Sequence, residues 1–256
     1  MCLFLSLISN LFSSPEKIGS IGEKRLEKKL DLMDFFGYNG ISLKNIYVPK
    51  ADGTTSEIDL LYITQKGIFV IESKNYSGYI FGNENNKNWT VTYYIGKNFW
   101  GKNQIEKDHF YNPIWQNRYH IITLKKYLKM NIPMYSIIVF SDDCEIKDLI
   151  TQSNDFVICY QNQFKKKIKT IWENSDVVLG NPLIQKIQNK LIPLTDQDEY
   201  IKRAHIESIK TRFYNKTCPK CGGNLVLRVA HKGTNIGHKF YGCSNYPKCT
   251  YTRSIE

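Results

Sequence analysis

Asp59, Glu72 and Lys74 stand in a stretch from Glu57 to Asn75, EIDLLYITQKGIFVIESKN, whose other residues mostly suit burial. On a strand, side chains two apart share a face, so Glu72 and Lys74 project together, about 7 Å apart at their Cα atoms. The turn TQKG folds the strand back, and a register that sets Asp59 opposite Glu72 brings two carboxylates face to face. Without a counter-ion such a pair repels strongly, and a divalent cation removes the conflict. Oxygen ligands of this kind suit Mg2+ or Mn2+, which polarise a phosphoryl oxygen and lower the pKa of bound water. Lys74 beside that metal is placed to orient or deprotonate an attacking water and to neutralise charge growing on a phosphate. The same residues also fit a Glu72–Lys74 ion pair at the end of a surface strand, with Asp59 on a solvated edge.

A second grouping lies near the C-terminus. Cys218 and Cys221 are separated by two residues, and Cys243 and Cys249 follow after 21 more. The short gap lets both thiolates of the first pair grip one ion from a tight turn, which Gly222 and Gly223 permit. Four thiolates around Zn2+ form a closed tetrahedral site with no open position, so the metal is structural and replaces a core that so short a segment cannot build. Redox chemistry at Cys218 and Cys221 is the competing reading. His231 and His238 are left out because the cysteines already fill the shell. With Cys2, Cys144 and Cys159 scattered, the odd total of seven points to a metal site in a reducing, cytoplasmic compartment rather than to a disulfide framework.

The elements that must position these groups follow from periodicity. A helix is expected from Pro15 to Phe36, with Ser14 as N-cap, Pro15 at the first position and Gly37 as the stop. Leu26, Leu30 and Met33 share one face, and Glu23 heads that inward stripe, from where it can complete the metal shell or hold a coordinated water. Glu27 and Asp31 read as solvated surface. Strands are expected at 41–48, 57–64, 67–74, 79–81 and 89–95, mostly antiparallel. A helix follows Asn112 and Pro113 and ends before Pro133. MYSIIVFS and DFVICY read as buried strands, and helices at 161–172 and 182–191 cover the sheet. The order implies an α/β or α+β sandwich.

The succession of Gly22–Glu23, Glu57-Ile58-Asp59, Gly67 to Asn75 with its Glu72-Ser73-Lys74, Gly78, Trp89 and Asn112-Pro113-x-x-Gln116 resembles the nuclease-related domain (NERD) branch of the PD-(D/E)xK nuclease superfamily over residues 18 to 130. The resemblance implies a restriction-endonuclease-like mixed sheet flanked by helices, and metal-dependent hydrolysis of phosphodiester bonds with Glu23, Asp59, Glu72 and Lys74 in the active site. It also turns Gln116 toward the cleft as a substrate-binding residue, where the residues alone leave it equally a capping or solvated glutamine. Cys218-Pro219-Lys220-Cys221-Gly222-Gly223 and Phe240-Tyr241-Gly242-Cys243-Ser244-Asn245-Tyr246-Pro247-Lys248-Cys249 are similar to the C-terminal zinc finger of bacterial type I DNA topoisomerases. That resemblance implies DNA binding, often of single strands. No other segment resembles a topoisomerase's catalytic parts.

Charge agrees with a polyanionic partner. The chain of 256 residues carries a net charge of +11, and between Ser208 and Arg253 nine lysines and arginines occur with no acid. Phe213, Tyr214, Phe240, Tyr241, Tyr246 and Tyr251 alternate with them, a pattern of cations for a backbone and rings for bases that favours single-stranded DNA.

The expected organisation is an apolar segment at 1–14, a nuclease-like domain at 15–194, a linker at 195–216 and a zinc ribbon at 217–256. Residues 1–14 are too short to span a bilayer and read as packing on the main domain, with an interfacial membrane anchor as the alternative. The functional expectation is a metal-dependent DNA nuclease; the alternative is a DNA-binding accessory protein without turnover. Oligomeric state is left open.

Overall fold

The computed structural model describes residues 15–98, 101–195, 197–216, 218, 220–221, 223–230 and 236–254. The expected segment 1–14, with Ser14 as N-cap, lies outside them, as do Gly222 and His231. The chain forms two units, one running to Gln197 and the other from Asp198 onward.

The first unit opens with helix α1 (Pro15–Met33), begun by proline at its first position. A wider helical turn, Asp34–Tyr38, closes it, with Gly37 at φ 95° and Asn39 at φ 46° reversing the chain. Strands β1 (Ile41–Pro49), β2 (Thr55–Thr64) and β3 (Gly67–Lys74) form an antiparallel meander. Strands β4 (Gly78–Asn83), β5 (Asn88–Lys97) and β6 (Asn103–Tyr111) form a second one. Helix α2 (Pro113–Leu128) then leads to β7 (Met134–Phe140), which pairs parallel with β3. Strand β8 (Cys144–Ile150) joins β4, and β9 (Phe156–Tyr160) joins β7, both in parallel. Helices α3 (Phe164–Glu173) and α4 (Asn181–Leu191) complete the unit.

The result is a mixed five-stranded sheet, β1-β2-β3-β7-β9, and a four-stranded sheet, β6-β5-β4-β8. Alternation along β2 and β3 buries both faces of the larger sheet. Leu60, Tyr62, Phe69 and Ile71 pack against Leu26 and Leu30 of α1 and Phe164 of α3. Leu61, Ile63, Ile68 and Val70 pack against Leu124 and Leu128 of α2 and Leu191 of α4. A third core joins Ile80, Trp89 and Val91 of the smaller sheet to Ile114 of α2 and Phe140 of β7.

The architecture is the expected mixed α/β fold with flanking helices. Strands β6 and β8 were not anticipated: β6, NQIEKDHFY, is exposed at every residue but Phe110 and carries no burial pattern to read. Glu27, expected to be solvated surface, pairs with Lys44 of β1 at 2.9 Å.

In the second unit α5 (Glu199–Lys216) occupies most of the expected linker and clusters with the ribbon. Strands β10 (Leu225–Val229), β11 (Lys239–Cys243) and β12 (Thr252–Ser254) form its antiparallel sheet.

Candidate active site and zinc ribbon

A break in strand alternation marks the site. Ile58 lies in the core beneath α2 and α4 together with Leu61 and Ile63, whereas Leu60 faces α1. Two residues of equal parity on opposite faces mean that β2 kinks at Asp59. Strand β1 kinks with it: Asn45, at φ 50°, falls between the pairs Lys44–Leu60 and Ile46–Ile58. The β2–β3 ladder ends at Leu60–Ile71, and beyond it the Ser73 N–H donates to Asp59 Oδ2 at 2.8 Å.

Glu72 and Lys74 continue the Ile68–Val70 face of β3 and so look toward α2. Lys74 Nζ donates to Glu72 Oε1 at 2.6 Å and to Gln116 Oε1 at 3.1 Å. This ion pair is not the surface salt bridge that the residues alone also allowed: Glu72 is 1% exposed and Lys74 16%. Burial opposes the charge on Glu72, but Lys74 and His120 outweigh it and hold its pKa below the usual range. Burial likewise opposes the charge on Lys74, and Glu72 and Asp59 more than restore it, so Lys74 is a cation at neutral pH.

Asp59 keeps some surface open to solvent, yet its surroundings are dense enough that burial, and then the charge of Glu72, push its pKa well above normal. Glu23 enters from α1. Gly22 beside it lies flush on β3, where a Cβ would come within 3.1 Å of Ser73 Oγ and 3.3 Å of Asn75 Cβ. That close approach holds half-buried Glu23 near β3, where burial and then the charges of Glu57 and Glu72 raise its pKa.

Asn112 fixes the start of α2. Its side chain, fully buried, accepts from the N–H groups of Ile114 and Trp115 and donates to the carbonyls of Asn83, Glu84 and Asn86. The cap sets the helix phase, which aims Gln116 at Lys74 and His120, one turn on, at Glu72. His120 Nε2 stands 3.3 Å from Glu72 Oε2, and its Nδ1 is bonded to Ser56 Oγ at 2.8 Å. His120 and Ser56 were missed by sequence reasoning; only the i+4 spacing from Gln116 could have pointed to the histidine.

The structure thus joins Glu72, Lys74 and Gln116 directly, links Asp59 through Ser73, and leaves Glu23 at the edge. Two observations bear on whether Asp59 and Glu72 fit a hard divalent cation, and both agree with it: Glu72 Oε2 is buried with no hydrogen bond, and the charge of Glu72 helps to raise the Asp59 pKa. Among the described residues, the only group of three or more Cys, His, Asp or Glu drawn together tightly enough for a metal is the four cysteines. Glu23, Asp59 and Glu72 do not form such a group.

In the ribbon, the sulfurs of Cys218, Cys221, Cys243 and Cys249 lie within 4.8 Å of one another. The Cys218–Cys249 separation is 3.7 Å, close to the roughly 3.8 Å edge of a tetrahedron with Zn–S bonds of about 2.3 Å. Asn245 N–H and its side-chain amide approach Cys243 and Cys221 sulfurs at 3.4 and 3.6 Å, as donors to thiolates do. A Cβ on Gly223 would strike that amide at 2.8 Å. The cysteines are unbridged, and His238 is not among the ligands. Tyr241 and Tyr251 pack on the cysteine core, while Tyr246 is 63% exposed. The Arg228 guanidinium lies 5.8 Å from the Tyr246 ring and that of Arg253 5.4 Å from Tyr241. The side chains of Phe213 and Tyr214 lie outside the described residues.

A mixed α/β unit with a buried carboxylate–lysine pair, followed by a four-thiolate ribbon, defines the class. Residues 18–141 match the family model of the nuclease-related domain, and residues 215–256 match that of the topoisomerase DNA-binding C4 zinc finger. The chain therefore carries a nuclease-related domain and a topoisomerase-type zinc ribbon. The uncharacterized protein pXO1-01 of Bacillus anthracis is 29% identical over 199 residues, 78% of this chain and 87% of that protein. DNA topoisomerase 1 of Methanocaldococcus jannaschii is 46% identical over 81 residues, 31% of this chain and 10% of the topoisomerase. The uncharacterized protein YrdD of Escherichia coli is 45% identical over 42 residues, 16% of this chain and 21% of that protein. The chain spans only about a tenth of the topoisomerase's length. No solved structure matches it. Among the described residues, no helix is long and apolar enough to cross a membrane.

Proposed function

We propose that this protein is a divalent-cation-dependent deoxyribonuclease that hydrolyses phosphodiester bonds and holds its substrate with the zinc ribbon. The observation that carries the reading is the Glu72–Lys74 pair at the end of β3, with Gln116 on Lys74 and half-buried Asp59 of β2 linked through the Ser73 N–H. Burying the Glu72 carboxylate with an ammonium beside a second, half-buried carboxylate is costly, and structure alone does not require it.

Asp59 and Glu72 would hold Mg2+ or Mn2+, which when bound supplies Lewis-acid polarisation of the phosphoryl oxygen and a water of lowered pKa. Lys74, already charged, serves as an electrostatic partner for the phosphate rather than as a base. Gln116 restrains the Lys74 ammonium and presents its amide N–H groups to the substrate. Glu23, with its raised pKa, is placed to hold a water.

The ribbon's role is to bind single-stranded DNA, with Tyr246 as a stacking face and Arg228 and Arg253 on the backbone. Four unbridged thiols around zinc suit a reducing cytoplasm.

The test is a cleavage assay with Mg2+ or Mn2+ on single-stranded, double-stranded and branched DNA and on RNA, beside Lys74→Ala. Metal-dependent cutting of DNA that Lys74→Ala abolishes, with DNA affinity retained, supports the reading. Tight DNA binding with no cutting of any substrate replaces it with a binding accessory.

A further inference from the structure

Two buried polar atoms face each other without a hydrogen bond to anything: Glu72 Oε2 and His120 Nε2, 3.3 Å apart. Both belong to side chains almost without exposure, and Ser56, whose hydroxyl meets His120 Nδ1 at 2.8 Å, is 5% exposed. Leaving such atoms unpaired in a core is unfavourable, so the arrangement calls for a reason.

The tautomer follows from charge. A neutral imidazole carries one N–H, and the nitrogen facing a carboxylate is the one that gains from holding it. Nδ1 is then an acceptor, which assigns the donor role to the Ser56 hydroxyl. The result is a chain from Ser56 through His120 toward Glu72, in which each group limits the orientation of the next.

One face of α2 thereby addresses both members of the buried pair, Gln116 the ammonium and His120 the carboxylate. Lys74 fixes only Oε1 of Glu72, which leaves the carboxylate free to swing about that contact. His120 Nε2, 3.3 Å from Oε2, limits that freedom as a neighbouring N–H without hydrogen-bonding the oxygen, so the lone pairs of Oε2 stay open to a cation.

We infer that His120, steered by the Ser56 hydroxyl, is a positioning residue that aims Glu72 Oε2 at the divalent cation. The inference rests on the reading of Asp59 and Glu72 as a cation site, though not on catalysis. His120 is not a ligand and touches no substrate.

The experiment is Mn2+ binding to the full, zinc-loaded chain, followed by calorimetry and by the electron paramagnetic resonance of the bound ion, for wild type, His120→Ala, His120→Gln and Ser56→Ala. Loss of an outer partner of a metal-bound carboxylate typically weakens affinity about 10- to 100-fold, and that loss is expected for His120→Ala. Ser56→Ala falls between it and wild type, and His120→Gln, which keeps an N–H at that end, recovers most of the loss. A merely structural histidine would lower the melting temperature without this graded change in Mn2+ affinity. Unchanged Mn2+ affinity in folded His120→Ala overturns the inference; if that variant does not fold, unchanged affinity in both other variants does so. Nitrogen coupling to Mn2+ in wild type that vanishes in His120→Gln also overturns it, since His120 would then be a ligand. Graded Mn2+ binding in a chain that cuts no nucleic acid upholds the inference and removes the nuclease reading. No Mn2+ binding by wild type, with Asp59→Asn indistinguishable from it, removes both.

Discussion

Replacing Lys74 by methionine tests the buried pair most directly. The ammonium lies 2.6 Å from a carboxylate that is 1% exposed, so its loss strands the Glu72 charge away from water. Removing one partner of such a pair costs about 3–5 kcal/mol, mostly as the penalty of the charge left behind. For a unit of this size each kcal/mol moves the melting temperature by about 2–4 °C, so the expected fall is about 6–20 °C. Glu72→Gln with Lys74→Met removes the stranded charge too, and the double variant should regain most of that fall. Thermal melts of the zinc-loaded chain in Mg2+-free buffer, arranged as a double-mutant cycle, read the coupling. Both variants should lose cleavage by at least about 10²- to 10³-fold, the usual consequence of deleting a preorganised electrostatic group. A single variant melting within about 2 °C of wild type, the shift from under about 1 kcal/mol, would refute the reasoning, as would a double variant no more stable than the single.

Three further outcomes are expected. Asn112→Ala removes a helix cap and the bonds donated by a fully buried side chain to three carbonyls, so a stability loss of about 2–4 kcal/mol in urea is expected with reduced cleavage, because Gln116 and His120 lose their phase; a loss under about 1 kcal/mol would contradict this. Zinc removal by chelation, or Cys243→Ser, should make residues 218–254 protease-sensitive while the unit ending at Gln197 melts unchanged; a ribbon that stays resistant when zinc-free would disprove a structural metal. Glu84 accepts from Ser153, the Gln152 N–H and Arg118, and these bonds hold its pKa near about 2, below the ordinary 4.5. Because the folded pKa is the lower one, its stabilisation is complete above about 4.5 and fades as pH falls toward 2. Urea midpoints should therefore decline less over that window in Glu84→Gln, and parallel curves would count against the assignment.

Much of the site was legible because its signals are local. Glu72-Ser73-Lys74 needs only the two-residue period of a strand, and Asn112-Pro113 announces a capped helix whose phase then carries Gln116. The cysteine spacing predicts a closed thiolate group, and the sulfurs meet as expected. Strands β6 and β8 were not legible, since a strand exposed along its length carries no burial pattern. The charge state of Lys74 was not legible either. It depends on the nearby charges of Glu72 and then Asp59, which raise the Lys74 pKa against the effect of burial.

By itself the sequence determined which residues could do chemistry, the mixed α/β class, and the separate ribbon, because residue type and short-range period are written along the chain. Only the tertiary structure decided that the Glu72–Lys74 pair is buried, that β2 kinks at Asp59, and that Ser56 and His120, 64 positions apart, close a chain onto Glu72. The physical reason is that burial and long-range hydrogen bonding depend on how β1, β2 and β3 register against α2. No window of sequence contains that relation.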